Sequence, residues 1–196
     1  MNERLQQQLA FLLEIDKLKN VYRQSYLSDK SRRENDAEHS WHLTMMAMIL
    51  MEHADHPQLD ILRVMKMLVV HDIVEIDAGD TFAYDDQGHT DKAEREQAAA
   101  NRLFGLLPAD QRDELMALWE EFEARSTPES QYAAAMDRLA PILLNYHTGG
   151  ASWREHGITS EQVLKRNRHI ADSSEGLWTF VQSLVEDAVN RGYLKR

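Results

Sequence analysis

The chain has 196 residues, with 22 Lys and Arg against 33 Asp and Glu, for a formal net charge of −11. That length suits one domain able to bury its own core, and the acidic balance opposes binding to a nucleic-acid polymer or an anionic membrane. Cysteine is absent, which excludes disulfides, thiolate metal sites and cysteine nucleophiles.

Gly and Pro are scarce at 8 and 4, helix formers dominate and no segment alternates convincingly as a strand. Leu5, Leu9, Leu12 and Ile15 form a helical stripe near the start. The opening MNERLQQQLAF is too charged for a secretory leader, and the longest apolar run, Leu43–Met51, is too short for a bilayer. A soluble cytoplasmic protein is expected. Ser25 to Asn35 reads as a polar loop, and Asp36 as the N-cap of a helix reaching roughly Glu52. Met45, Met46, Met48 and Met51 in that helix read as core filling.

A third helix starts near Asp60, carries Ile61, Val64, Met65, Leu68 and Val69, and ends around His71–Glu75. Ile76 to His89 reads as a long loop containing Gly79, Asp80, Asp85, Asp86 and Gly88. Thr90 is expected to cap the next helix, with Ala98–Ala100 and Leu103–Leu107. Pro108 suits the first turn of a helix through Trp119 and Phe122. Thr127–Pro128 opens a helix holding Ala133–Leu144, which Gly149–Gly150 ends. Thr159 and Gln162 form a capping-box pattern, and Ser173 or Ser174 starts a final helix with Leu177, Phe180, Val181, Leu184 and Val185. The expectation is an all-α, single-domain helical bundle over residues 1–196 with about six to eight helices. Its core covers about 20–145, and C-terminal helices over 159–191 pack on it.

The strongest chemical signal is His71–Asp72 in MKMLVVHDIVE. Glu75 follows four residues after His71 and three after Asp72, so it projects from the same helical face. This cluster suits a metal site with a carboxylate beside it better than a solvated surface. One imidazole and one carboxylate bind a divalent ion weakly, so more ligands are needed. His39, in DAEHSWH, and Asp137, in YAAAMDRLAPILL, are the candidates. Asp137 is costly to bury unless paired or bound to a cation, and its neighbour Arg138 offers a plain ion pair instead. Such a mixed N/O set suits Mn²⁺, Fe²⁺, Co²⁺, Ni²⁺, Mg²⁺ or Zn²⁺.

The ordered set His39, His71–Asp72 and Asp137 resembles the H…HD…D pattern of HD-domain metal-dependent phosphohydrolases. Glu38–His39, the HDxxE of His71–Glu75, Gly79–Asp80 and the segment LWEEFEARSTPESQYAAAMDRL resemble the 5′-deoxynucleotidase branch, from about Leu5 to Leu144. The resemblance implies an HD-type helical domain with one divalent ion held by His39, His71, Asp72 and Asp137. It implies hydrolysis of the 5′-phosphate of (deoxy)nucleoside monophosphates, with Glu75 and Asp80 catalytic and Arg23 near the substrate phosphate. It also implies a homodimer. Gln24 stands where the branch has an aromatic residue that helps exclude ribose.

The remaining candidates have ordinary readings. His42 packs beside Trp41 or supports His39. His53, His56, His89, His147, His156 and His169 read as core or surface histidines. Arg32 and Arg33 read as solvated, Lys92 as a weak phosphate candidate, and Glu120, Glu121 and Glu123 as a solvated face. Two other functions compete. An alarmone pyrophosphohydrolase is disfavoured because Ile76 follows Glu75 where that class carries an acid. An idle nucleotide-binding regulatory module is disfavoured by the intact ligand set.

Overall fold

The computed structural model describes residues 2–85, 87–88 and 90–196. Asp86 and His89, both read above as loop, lie outside the described residues. The ten α-helical segments are α1 (Glu3–Ile15), α2 (Asp36–Leu50), α3 (Ile61–Val70), α4 (Glu75–Ala78), α5 (Lys92–Phe104), α6 (Ala109–Ala124), α7 (Pro128–His147), α8 (Ala151–Glu155), α9 (Ser160–Asn167) and α10 (Glu175–Asn190). Two of these, α4 and α8, are single turns of 4 and 5 residues. The eight longer helices make the protein all-α, as expected from the sequence.

Ile76–Ala78, read from the sequence as the start of a loop, belongs to α4, and the segment before α2 differs too. Ser25 to Asn35 is not all loop: β1 (Tyr22–Tyr26) pairs antiparallel with β2 (Arg33–Asn35), Tyr22 opposite Asn35 and Tyr26 opposite Arg33. Only Ser25 of β1 and Glu34 of β2 are fully buried. A two-stranded ribbon with so few apolar positions leaves no alternation to read.

The caps follow local chemistry. Asn35, not Asp36, is the N-cap of α2; it accepts from Glu38 N, and Glu38 returns the bond in a capping box. Asp36 is therefore displaced into the first turn, and its carboxylate is buried. Asp60, Thr127, Thr159 and Ser174 cap α3, α7, α9 and α10 with side-chain acceptors. Thr90 does not cap α5. Asp91 holds that position, and the Thr90 hydroxyl donates to the carbonyl of Gln87 instead. Pro108 sits one residue before the first turn of α6.

The long α7 is the centre. Tyr132, Ala133 to Met136, Leu139 and Ala140 are buried on several faces, and the alanines let neighbouring helices approach closely. Tyr132 donates its hydroxyl to the Ala47 carbonyl of α2 at 3.0 Å. α3 packs between α2, α6 and α7, while α9, α10 and the 168–172 turn cover the other side of α7. Each large apolar side chain sealed here stabilises the fold by ~1.5–3 kcal/mol. Gly150 makes the tight exit after α7 possible. Its φ is +74°, and a Cβ there would meet the Tyr193 carbonyl oxygen at 1.9 Å.

A second core unites Phe11, Leu18, Val70, Ile73, Val74, Leu103, Phe104 and Trp119. Two expected core elements face outward instead. Of the first stripe, Leu5, Leu9 and Leu12 are exposed, and Phe11 anchors α1. In α2 Met46 is buried, but Met45 and Met48 are exposed; Met51, in the turn after α2, packs on the core. No helix among the described residues is long and apolar enough to cross a membrane.

Candidate metal centre

The chain after α3 tightens. His71–Val74 is a 3₁₀ turn, followed directly by α4. Val70, Ile73 and Val74 go into the second core, so His71, Asp72 and Glu75 turn the other way, into a cavity that Asp137 also lines. A mid-helix 3₁₀ stretch of this kind often marks a functional position. Pro141 has the matching effect in α7: it lacks the N–H that would bond the carbonyl four residues back, which is that of Asp137.

The four expected ligands come together, and all are buried. One donor atom each from His39, His71 and Asp72 lies within 4.8 Å of the other two. Asp137 Oδ1 is 3.1 Å from His39 Nε2 and 3.9 Å from His71 Nε2. His71 Nδ1 donates to the Leu68 carbonyl at 2.9 Å. A carbonyl can only accept, so in the neutral ring the lone pair is on Nε2. That Nε2 is buried 3.1 Å from Asp72 Oδ1 without a well-aligned hydrogen bond, an arrangement suited to two ligand atoms facing one cation. His39 Nδ1 is likewise oriented by Glu34 Oε2 at 3.1 Å. Two imidazoles and two carboxylates with outer hydrogen bonds are the donor chemistry of a borderline divalent ion, and the residues fit one.

The electrostatics divide the carboxylates into two groups. Burial raises Asp72, but His71 and Arg23 outweigh it and hold the group at about 2. Asp137 is also buried, yet Arg138 and His39 keep it well below the usual carboxylate range. Glu75 goes the other way: burial, then Asp72 and Asp36, raise it well above normal. Its Oε2 is buried without a partner. Asp36 is pushed up to about 7 by burial and then by Asp72. Burial also raises Asp80, against the pull of Arg23. Burial and Arg23 lower His39, but Asp137 and Glu34 lift it overall to about 9.

Arg23 reaches in from β1. Its Nη1 lies 2.9 Å from Asp72 Oδ2 and 3.2 Å from Asp36 Oδ1, and Nη2 is 3.7 Å from Asp137 Oδ1. The expected phosphate contact is thus engaged with carboxylates. Asp80 enters the same cavity after Gly79, whose φ of +76° turns the chain out of α4. Gln24 also lines it, with its amide oxygen held by Arg33.

Other candidates fall elsewhere. His42 lies against Trp41, ring centroids 6.4 Å apart. Arg32 pairs with Glu38, and Arg33 with Glu155 at 3.0 Å. Lys92 lines the cavity but pairs with Glu96 at 2.6 Å. Of the expected solvated face, Glu121 bonds Arg63 and Thr127, and Glu123 lines the cavity. Sequence reading missed Glu34 and Asp36, and it saw Arg138 only as a partner for Asp137. The one available signal was the polar density of ENDAEH, which capping preferences explained away.

A family model described as HD domain matches residues 15–178. The human 5′-deoxynucleotidase HDDC2 is 32% identical over 136 residues, covering 69% of this chain and 65% of that protein. The Danio rerio protein of the same name is 30% identical over 136 residues, covering 69% and 66%. The match therefore spans just under two thirds of these curated relatives. A crystal structure of a predicted metal-dependent phosphohydrolase from Magnetospirillum magnetotacticum is similar along nearly the whole chain. Its TM-score is 0.94 at 52% identity, covering 99% of this chain and 97% of that one. A conserved hypothetical protein from Pyrococcus furiosus shares the fold, with a TM-score of 0.63 at 18% identity over 93% and 99% of the two chains. The buried histidine–aspartate centre and these likenesses agree: the chain belongs to the HD-domain family.

Proposed function

We propose that the protein is a divalent-metal-dependent phosphohydrolase that removes the 5′-phosphate from (deoxy)nucleoside monophosphates. The observation that carries this reading is the convergence of His39, His71, Asp72 and Asp137 beside the unpartnered Glu75 carboxyl. Relatives named 5′-deoxynucleotidase support the substrate class.

His39, His71, Asp72 and Asp137 would hold the ion. A bound divalent ion supplies Lewis-acid polarisation of the phosphate and a more acidic water. Glu75 orients the attacking water and takes its proton, a role suited to a carboxyl whose affinity for protons burial has raised. Asp80, across the same cavity, passes a proton to the leaving oxygen. The Nη2 of Arg23 forms no hydrogen bond among the described residues, and it receives a phosphate oxygen while Nη1 keeps Asp72 in place. Water adds to phosphorus, the P–O ester bond breaks, and nucleoside and orthophosphate leave. The donor set admits Co²⁺ and Mn²⁺ along with Fe²⁺, Ni²⁺, Mg²⁺ and Zn²⁺.

The homodimer is part of the same reading. Leu5, Leu9, Leu12, Leu62 and Val69 line an apolar groove of about 650 Å³ among α1, α3 and α6, and a contiguous exposed apolar surface suits a protein interface. Light scattering should give twice the chain mass; a monomer removes this part. The activity test is orthophosphate release from deoxy- and ribonucleoside 5′-monophosphates after chelation and return of each metal. Release with metal alone supports the reading, and no release with any metal overturns it.

A further inference from the structure

The cavity that holds the metal centre has a second wall of opposite charge. Arg125, Arg138 and Arg166 all line it. They come from three elements: the end of α6, the residue after Asp137 on α7, and the last turn of α9. Arg125 is held in the left-handed region at φ 48° and ψ 36°, which costs a non-glycine residue energy and is found disproportionately at functional sites.

Among the described residues these guanidiniums have little direct pairing. The Nε atoms of all three are buried with no hydrogen-bond partner. Among the described residues, Arg125 and Arg166 form no ion pair. Arg138 reaches only Asp137 Oδ2, at 3.7 Å. Asp137, and for Arg125 also Glu123, act on Arg125 and Arg166 only from beyond pairing distance, and two closer neighbours are uncharged. Arg166 lies over the Tyr84 ring at 5.9 Å, and Arg125 Nη1 donates to His169 Nε2 at 3.5 Å. Burial, then Arg125 and Arg138, push His169 down to about 4, so it brings no charge of its own. Burial followed by repulsion from Arg138 brings Arg166 down to about 10 and lowers Arg125. Glu123 lines the same cavity without pairing with either. Three part-buried cations on one wall, with one long ion pair among them, favour an anion placed between them. Guanidinium is the side chain whose fork matches phosphate oxygens.

We infer that Arg125, Arg138 and Arg166 form a second anion pocket, which takes a phosphoryl group of the substrate other than the one removed. The preferred substrate is then a nucleotide with a second phosphoryl group in place of the simple monophosphate, an assignment that rests on the phosphohydrolase reading above but departs from its substrate. Arg138 joins the two halves, because its neighbour Asp137 faces His39. The cavity volume of about 130 Å³ is room for roughly ten water-sized groups. That accommodates two phosphoryl groups, with the nucleoside towards the mouth. In the reaction, water's oxygen bonds to the phosphorus beside Glu75, the P–O bond to the leaving oxygen breaks (an ester bond in a bisphosphate, an anhydride bond in a diphosphate) and that oxygen gains a proton. Orthophosphate and a nucleotide that keeps its second phosphoryl group are the products.

Two measurements on the whole chain test this. The first is calorimetric titration with inorganic phosphate, with metal present and again after chelation. After chelation Arg23 and His39 still offer positive charge beside the carboxylates, so the loss of binding in Arg166→Met is what reports the second pocket. Phosphate is expected to bind the chelated protein, ~10–100-fold more weakly in Arg166→Met, with part of the affinity kept in Arg166→Lys. No binding after chelation, or equal binding by a folded Arg166→Met, overturns the pocket. The second is kcat/KM for deoxyadenosine 3′,5′-bisphosphate and deoxyadenosine 5′-diphosphate against dAMP. Higher kcat/KM for a two-phosphate substrate, reduced towards parity in Arg125→Met, supports the substrate class, and a preference for dAMP overturns it. If no substrate turns over while phosphate still binds through the arginines, the anion pocket stands and the phosphohydrolase reading falls. If dAMP turns over best and the arginines bind nothing, the reverse holds.

Discussion

Glu34 Oε2 lies 3.1 Å from His39 Nδ1, and both side chains are buried. β2 thus supplies the hydrogen bond that fixes a ring on α2, leaving Nε2 turned towards Asp137. Such outer partners typically contribute ~10–100-fold to metal affinity. Glu34→Ala is expected to weaken divalent-ion binding by that factor, read by titration against a competing chelator. Unchanged affinity would reduce Glu34 to a packing role.

Glu75 is expected to act on the chemistry and not on the ion. Glu75→Gln keeps size and polarity but removes the base. It should retain the metal and lower kcat by ~10²–10⁴-fold. Loss of metal in this variant would place Glu75 among the ligands.

The pH dependence has a definite sign. In the metal-free chain Asp137 and Glu34 overcome burial and Arg23 to lift His39 to about 9, from an ordinary 6.5. A raised folded value stabilises fully below 6.5, and the contribution is lost as pH rises to about 9. Chelated protein should therefore lose stability between those pH values in denaturant titrations. Divalent-ion affinity should rise over the same range, because the ligand must shed its proton. His39→Gln should flatten both trends.

The capping box of α2 ties stability to the site. Asn35→Ala removes the acceptor for Glu38 N and should cost ~1 kcal/mol in urea unfolding. A neutral result would mean that Asp36 takes over the cap.

Much of this was legible in the sequence because it is local. The start of α3 near Asp60, the Thr127 and Thr159 caps and the grouping of His71, Asp72 and Glu75 follow from spacing within short segments, whereas the full ligand set with His39 and Asp137 came from the resemblance to HD-domain phosphohydrolases. The hairpin was not, because Tyr22–Tyr26 and Arg33–Asn35 are stabilised by pairing and by what they cover. Asp36 was misread because cap preference cannot separate Asn35 from its neighbour, and the swap turns a surface cap into a buried carboxylate. The convergence of Arg125, Arg138 and Arg166 depends on how α6, α7 and α9 meet, which no local pattern encodes.

The central claim is that His39, His71, Asp72 and Asp137 hold one ion together. Calorimetric titration of chelated protein with Mn²⁺ tests it most directly. A single ion should bind per chain in the wild type. Binding should be lost in Asp72→Ala and in Asp137→Ala while both variants keep the helical circular-dichroism spectrum. Full-affinity Mn²⁺ binding in either folded variant would contradict the account.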